Sequence, residues 1–241
     1  MRTFFAMHCI TRRNIDDPTY NAELERLGYD EAPLPDNQIP SKIDIAQGQV
    51  DEPLIEKGKY QAKLIAERLT NSQNKIKRIY VAKQQRCLQT AQIVASELGY
   101  PVQIVVDDRL NARSYGEIAK NAMNADKLKH FYKYPDVLTD INSLRMIALF
   151  LIAPEKIGAE PKADFKARVQ SFIHDGSHDF NDAMIIAGSD VWKFFQEENY
   201  FYAYKNEERP LKRAEIAVVD FERQKEIKTI KSKEKEKTNN L

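Results

Sequence analysis

The feature that most constrains the fold is a regular alternation between short apolar runs and longer amphipathic segments. Runs suited to buried strands lie at Thr3–Met7, Arg78–Ala82, Val102–Val106, Ala183–Ala187 and Glu215–Phe221. When strands alternate with helices along a chain, the helices generally cover both faces of a mostly parallel sheet. The alternation therefore predicts an α/β fold, a three-layer α/β/α sandwich with a mostly parallel central sheet.

Five segments between and beside these runs carry the helical pattern, in which apolar residues recur every three to four positions. In the second of them, Gly99 follows the last apolar position and is expected to end the helix, because glycine readily adopts the left-handed conformation that follows a helix C-terminus. The five predicted helices are Glu56–Thr70, Gln84–Leu98, Ser143–Ile152, Lys162–Ile173 and Val191–Tyr204.

Two stretches break the alternation. Residues 15–50 hold four prolines among many polar residues, which predicts an insertion folded over the edge of a site rather than part of the sheet. Residues 222–241 are rich in lysine and glutamate with few apolar residues, which predicts a charged tail that is helical or disordered. We therefore expect one domain over residues 1–221, with the insertion inside it, followed by the tail.

Charge and hydropathy limit the partners and the cellular location that are expected for the chain. Its 241 residues carry a formal net charge of +1, which predicts neither a nucleic-acid partner nor a membrane partner. The longest apolar run, Met146–Ala153, is far shorter than the roughly 20 residues that span a bilayer. The first eight residues turn polar too early for a signal peptide. We expect a cytoplasmic protein.

Two polar residues stand where open α/β sheets usually bind their ligands, beyond the carboxyl ends of strands. His8 follows the first predicted strand, and Arg86 lies at the start of the helix after the second. A neutral imidazole can attack phosphorus and become phosphohistidine, while a guanidinium beside it can bind the phosphoryl oxygens. The pair therefore predicts a phosphate pocket at one edge of the sheet.

Two other interpretations of this region do not fit the spacing. A tyrosine phosphatase loop has the pattern H-C-x₅-R, but Ile15 occupies the arginine position after His8 and Cys9. A zinc site usually needs four ligands, and Cys9 and Cys87, the only cysteines, do not form a C-x₂-C pair. We therefore expect no metal and no cofactor, and we interpret both cysteines as small buried residues.

The ordered motifs of the chain resemble those of the histidine phosphatase superfamily, which includes phosphoglycerate mutases and many acid phosphatases. The segments that carry the resemblance are DEPLIEKGKYQA at residues 51–62 and RCLQTA at residues 86–91. They are similar to the family patterns D-x-P-L-T-x-x-G-x-x-Q-A and R-A-x-Q-T-A. The resemblance extends from Phe4 to about Phe221 and implies a phosphoglycerate-mutase-like sandwich.

Carried over one position at a time, the resemblance makes His8 the nucleophile and makes Asn14 and Arg86 phosphate contacts. The family pocket also contains a second arginine, an acidic residue and a second histidine. None of the three residue types is present at the corresponding positions of this chain, which are Met7, Ala112 and Gly188.

These three replacements predict that phosphatase chemistry is disabled. Met7 supplies no positive charge, Ala112 cannot protonate a leaving oxygen, and Gly188 removes a hydrogen-bond donor. A general acid alone typically contributes about 10²–10⁴-fold to a rate. The sequence therefore predicts a pseudophosphatase that keeps a partial phosphate site and acts by binding a phosphate-bearing ligand or a protein partner.

Two other functions remain open. The first is an atypical phosphomonoesterase that works through a phospho-His8 intermediate, with Arg12, Arg13 or Arg113 supplying the missing charge and Asp190 acting as the acid. The second is an interaction domain whose cleft binds nothing charged. Release of phosphate from an aryl phosphate distinguishes the first from the pseudophosphatase, and stabilisation by anions distinguishes the second.

Overall fold

The computed structural model of the protein describes residues 3–11, 51–72, 75–116, 150, 152–198, 200, 211 and 214–221. The predicted insertion at 15–50, the tail at 222–241 and most of the predicted helix at 143–152 lie outside these residues. The described strands are β1 (Thr3–Met7), β2 (Arg78–Val81), β3 (Gln103–Val106), β4 (Ala183–Ala187) and β5 (Ala217–Val219). The described helices are α1 (Glu56–Asn71), α2 (Gln85–Glu97), α3 (Lys162–Ile173) and α4 (Ser189–Glu197), with short 3-10 helices at Asp108–Leu110 and Pro154–Ile157.

The five described strands form one sheet in the order β3-β2-β4-β1-β5. β1, β2, β3 and β4 run parallel to one another, and β5 pairs antiparallel with β1. The mostly parallel sheet predicted from the sequence is confirmed. Because β1, β4 and β2 are adjacent, the loops that follow these three strands emerge side by side at one edge.

Aromatic contacts fix α3 and α4 on one face of the sheet. Phe5 of β1 stacks on Trp192 of α4, with ring centroids 5.2 Å apart. Tyr80 of β2 lies in the same row of the sheet, since both it and Phe5 pair with Ile185 of β4, and its ring meets Phe172 of α3 at 5.5 Å. Helices α1 and α2 pack on each other, and α2 also contacts β2, β3 and β4. Every residue of β1 and β4 is buried, as expected for strands covered on both faces.

Element boundaries differ slightly from those predicted. Helix α4 begins at Ser189 rather than Val191, because the extended backbone of Gly188 (φ −79°, ψ 169°) serves as its N-cap. After α2, Gly99 has a φ of 70°, the left-handed conformation predicted for it. None of the helices in the described ranges has the length and apolar character needed to cross a membrane.

Candidate functional site

Two of the predicted site positions, His8 and Gly188, lie at the carboxyl edge of the sheet. The backbone N–H of His8 donates to the carbonyl of Ala187 at 3.0 Å, and the N–H of Ala82 donates to the carbonyl of Ile186 at 3.1 Å. The segments that follow β1 and β2 are therefore both bound to the end of β4. Gly188 is the next residue of the β4 segment, so it stands between them.

The imidazole of His8 is buried, with 3% of its surface exposed. Its Nδ1 lies 2.8 Å from the backbone carbonyl oxygen of Cys9. Because a carbonyl oxygen can only accept a hydrogen bond, Nδ1 carries the proton when the ring is neutral, and the lone pair resides on Nε2. Of the two ring nitrogens, Nε2 is thus the one suited to nucleophilic attack.

A threonine hydroxyl connects the His8 loop to the first turn of α2. The N–H of Cys9 donates to Oγ1 of Thr90 at 3.1 Å, and the Thr90 hydroxyl donates to the carbonyl of Arg86 at 2.7 Å. Arg86 itself is 1% exposed. His8 and Arg86 therefore lie on directly bonded segments of the same edge, not on opposite faces of the molecule.

Residues of the two motifs fix the backbone after His8 and the segment that leads into α1. The side-chain oxygen of Gln61 accepts from the N–H of Ile10 at 3.1 Å, and that of Gln89 accepts from the N–H of Leu54 at 2.7 Å. Gly58 lies so close to the carbonyl of Ile10 that a Cβ there would overlap it. In the sequence, Gln61, Gln89 and Gly58 were recognised as motif positions but were given no role. Their fixed spacing within the motifs is the feature that could have indicated a structural role.

The three positions that lack the expected polar residues adjoin one another. Met7 is buried at the end of β1 and pairs with Ala187, the residue before Gly188. A Cβ added to Gly188 would lie 3.5 Å from the Cβ of Ala112, which is ordinary van der Waals contact. This corner of the edge therefore presents a thioether, a methyl group and bare backbone, and these three positions supply no charge.

Two of the predicted compensating residues have partners close to this corner. Asp190, in the first turn of α4, accepts a hydrogen bond from the hydroxyl of Tyr115 at 3.1 Å. Arg113 donates through Nε to the carbonyl of Glu160 at 2.7 Å, and its guanidinium carbon lies 4.4 Å from the centroid of the Phe150 ring. Both side chains are thus held in place, the first as a hydrogen-bond acceptor and the second as a stacked cation.

An ion cluster fixes the segment that leads from β3 to Ala112. Nη2 of Arg109 lies 2.6 Å from Oδ2 of Asp107 and 2.9 Å from Oδ2 of Asp175. Burial tends to raise the pKa of Asp107, but the hydrogen bonds from Arg109 outweigh it and hold that pKa below its ordinary value. Nε2 of His178 lies 3.5 Å from the same Asp107 oxygen, so this histidine takes part in a structural cluster.

Three of the other predicted site residues cannot be located in the described part of the chain, and the two cysteines can. Asn14, Arg12 and Arg13 lie outside the described residues, and their roles stay predictions. Cys9 and Cys87 are both buried and form no disulfide. Within the described part of the chain, no group of three His, Cys, Asp or Glu side chains is placed to hold a metal ion.

Gln84, the N-cap of α2, provides a stability test at the border of the site. It is 4% exposed, and its Oε1 has no hydrogen-bond partner among the described residues. Because an unsatisfied buried polar group costs about 1–3 kcal/mol, we expect Gln84→Leu to raise the free energy of unfolding by roughly that amount in urea titrations. The control, Gln85→Leu at the neighbouring exposed position, should change it by less than about 0.5 kcal/mol. A destabilised Gln84→Leu variant would show that the amide is bonded after all.

Comparison with known proteins identifies a matching family and a relative that is similar over part of its length. The histidine phosphatase superfamily (branch 1) matches residues 40–187, a range that includes Arg86 and Ala112 but not His8. The phosphoglycerate mutase-like protein 4 of Arabidopsis thaliana is 36% identical over 72 residues. That alignment spans 30% of this chain and 30% of the relative.

Solved structures share the fold at low sequence identity. The phosphoglycerate mutase of Bacillus anthracis str. Sterne aligns with a TM-score of 0.55 at 16% identity, over 82% of this chain and 78% of that one. A putative alpha-ribazole-5'-P phosphatase from Escherichia coli K-12 aligns with a TM-score of 0.52 at 17% identity, over 80% of this chain and 75% of that one. Similarities of this size establish the architecture, and they confirm the predicted phosphoglycerate-mutase-like sandwich.

Proposed function

Because this chain belongs to branch 1 of the histidine phosphatase superfamily, we propose that it is a pseudophosphatase, which binds a phosphorylated ligand or protein without hydrolysing it. The observation that supports the proposal is the closeness of positions 112 and 188, where a Cβ added to Gly188 would lie 3.5 Å from the Cβ of Ala112. The resemblance implies an acid at the first position and a histidine at the second, so the two side chains would start next to each other at the edge of the sheet. The residues present, Ala112 and Gly188, lack both groups.

The missing groups are those that act on the reaction rather than on binding alone. Transfer of a phosphoryl group to His8 needs a proton for the leaving oxygen and donors for the charge that develops on the phosphoryl oxygens. Ala112 and Gly188 offer neither, and Met7 adds no cation beside the imidazole. Hydrolysis of phosphate monoesters should consequently be slow or absent.

The groups that remain are suited to holding an anion. His8 and Arg86 are almost fully buried, and charge-assisted hydrogen bonds are strongest where water is excluded. Arg113 adds a second cation beside Ala112. No carboxylate of the described residues forms an ion pair with Arg113, whereas Arg109 pairs with two carboxylates and Arg168 with one.

Binding of phenyl phosphate, measured by calorimetry, tests the proposal. We expect Arg86→Met and His8→Ala to weaken binding roughly 10–100-fold, because each removes a charged or polar contact of the anion. Arg78→Met is the matched control, since Arg78 lies at the opposite end of β2 and pairs with Asp179 at 3.1 Å. Equal affinity in all three variants would contradict the proposed site.

The atypical phosphomonoesterase is a second candidate, and one observation favours it. Nδ1 of His8 is bonded to the Cys9 carbonyl, so Nε2 is the nitrogen available for attack, as a working nucleophile requires. In this alternative, Asp190, oriented by Tyr115, donates the proton to the leaving group. Steady release of phosphate by wild-type protein, lost in His8→Ala, would establish this alternative in place of the pseudophosphatase.

A further inference from the structure

The loop that carries Ala112 and Arg113 is held by one arginine of α3. Nε and Nη2 of Arg168 bind the two carboxylate oxygens of Glu160 at 2.6 and 2.8 Å. The same guanidinium donates through Nη1 to the carbonyl of Arg109 at 2.7 Å and through Nη2 to the carbonyl of Ala112 at 3.3 Å. It also lies 4.8 Å from the centroid of the Phe165 ring. All three nitrogens of Arg168 are thus used at once.

The backbone of Glu160 holds the far side of the same loop. Its carbonyl accepts from Nε of Arg113 at 2.7 Å, and its N–H donates to the carbonyl of Ser114 at 3.0 Å. Tyr115, the next residue, forms an isolated antiparallel bridge with Ala159. Glu160 therefore binds Arg168 through its carboxylate, and it binds the loop residues Arg113 and Ser114 through its backbone.

We infer that Glu160 and Arg168 are positioning residues of the anion site, which fix the place and the charge of Arg113. The inference rests on the proposed function for its effect on binding. The ion pair holds the segment 109–114 against α3, so that Ala112 stays beside Gly188 and Arg113 stays stacked on Phe150.

The pair also decides which cation the Glu160 carboxylate neutralises. Both carboxylate oxygens are committed to Arg168, so Arg113, bound only to the neutral carbonyl of the same residue, keeps its charge for a ligand. Without Arg168, the Glu160 carboxylate is released beside Arg113 and is free to pair with it. Loss of Arg168 should therefore weaken anion binding even though Arg168 need not touch the anion.

Substitution at 168 tests the inference with inorganic phosphate as the probe. Lysine keeps the charge but has one nitrogen, so it cannot chelate Glu160 and bind both carbonyls. We expect Arg168→Lys to weaken phosphate binding roughly tenfold and Arg168→Met to weaken it further. The matched control is Lys166→Met, which breaks ion pairs of the same helix with Glu197 and Glu198 and should leave the affinity unchanged.

A double-mutant cycle shows whether the effect passes through Arg113. In an Arg113→Met background, Arg168→Lys should have little further effect on affinity, because the cation that it positions is already gone. Hydrogen exchange at the Arg113 Nε–H, followed by NMR, should be faster in Arg168→Lys than in wild type or Lys166→Met. This second measurement needs no ligand.

The outcomes separate the inference from the proposed function. If wild type binds phosphate and Arg168→Lys binds it equally well, or loses affinity equally in both backgrounds, the positioning role is overturned. If wild type does not bind phosphate, the proposed anion site fails, and the exchange measurement alone decides whether the pair holds Arg113. Unchanged exchange in Arg168→Lys overturns the inference in either case.

Discussion

A variant that combines Met7→Arg, Ala112→Glu and Gly188→His is expected to hydrolyse an aryl phosphate at least roughly 10³-fold faster than the wild type. It restores the three groups that the family pocket contains and this chain lacks. At position 188 the backbone is extended, and among the described residues an added Cβ meets only the Ala112 Cβ, at 3.5 Å. The arginine at 7 and the glutamate at 112 enter as opposite charges, which limits the cost of burying either.

Two controls define this experiment, which follows release of the aryl alcohol at saturating substrate. Adding His8→Ala to the triple variant should abolish the gain, because the imidazole is the attacking group. Each single restoration should give much less than the triple, since residues of one catalytic unit act together. A triple variant that folds, binds phosphate and remains inactive would show that the three losses are not what silences the site.

Gly58→Ala is expected to lower the free energy of unfolding by about 3–5 kcal/mol, which is at the upper end for a single substitution and is typical of a severe steric clash. A Cβ at this position would overlap the carbonyl oxygen of Ile10, and it would also lie 3.1 Å from the carbonyl carbon. The obstacle is backbone, which cannot move aside as a side-chain tip can, so either α1 or the loop after His8 must shift. Chemical denaturation followed by circular dichroism measures the loss.

Gly176→Ala is the matched control for this prediction, because no atom of the described residues lies within 4 Å of an added Cβ there. It should change stability by less than about 0.5 kcal/mol. Since Gly58 supports the loop that begins at His8, phenyl phosphate binding should weaken in Gly58→Ala and not in Gly176→Ala. Equal denaturation midpoints for the two variants would mean that the close approach at Gly58 is not a constraint.

The sequence predicted elements whose determinants are local. Apolar runs identified the five strands, and Gly99 marked the end of α2, because burial of a short run and the left-handed φ of a glycine can be read from neighbouring residues. The strand order could not be predicted this way. It depends on β4, late in the chain, entering between β1 and β2, and no local pattern encodes which strands become neighbours.

In the candidate site too, some residues could be predicted from the sequence and others could not. The family resemblance placed His8, Arg86, Ala112 and Gly188 in one predicted pocket, and the described backbone brings their segments to one edge of the sheet. The pair formed by Glu160 and Arg168 could not be predicted from the sequence. It joins a helix to a distant loop through backbone carbonyls, which every residue possesses and no sequence pattern marks.

The hydrogen bonds from Ile10 to Gln61, from Leu54 to Gln89 and from Cys9 to Thr90 have an evolutionary consequence. The residues that accept these bonds shape the pocket, and they are different residues from those at positions 7, 112 and 188, where the resemblance implies reactive groups. A lineage could therefore discard its reactive groups singly, passing at every step through a stably folded intermediate. Such losses would then require no remodelling of the architecture.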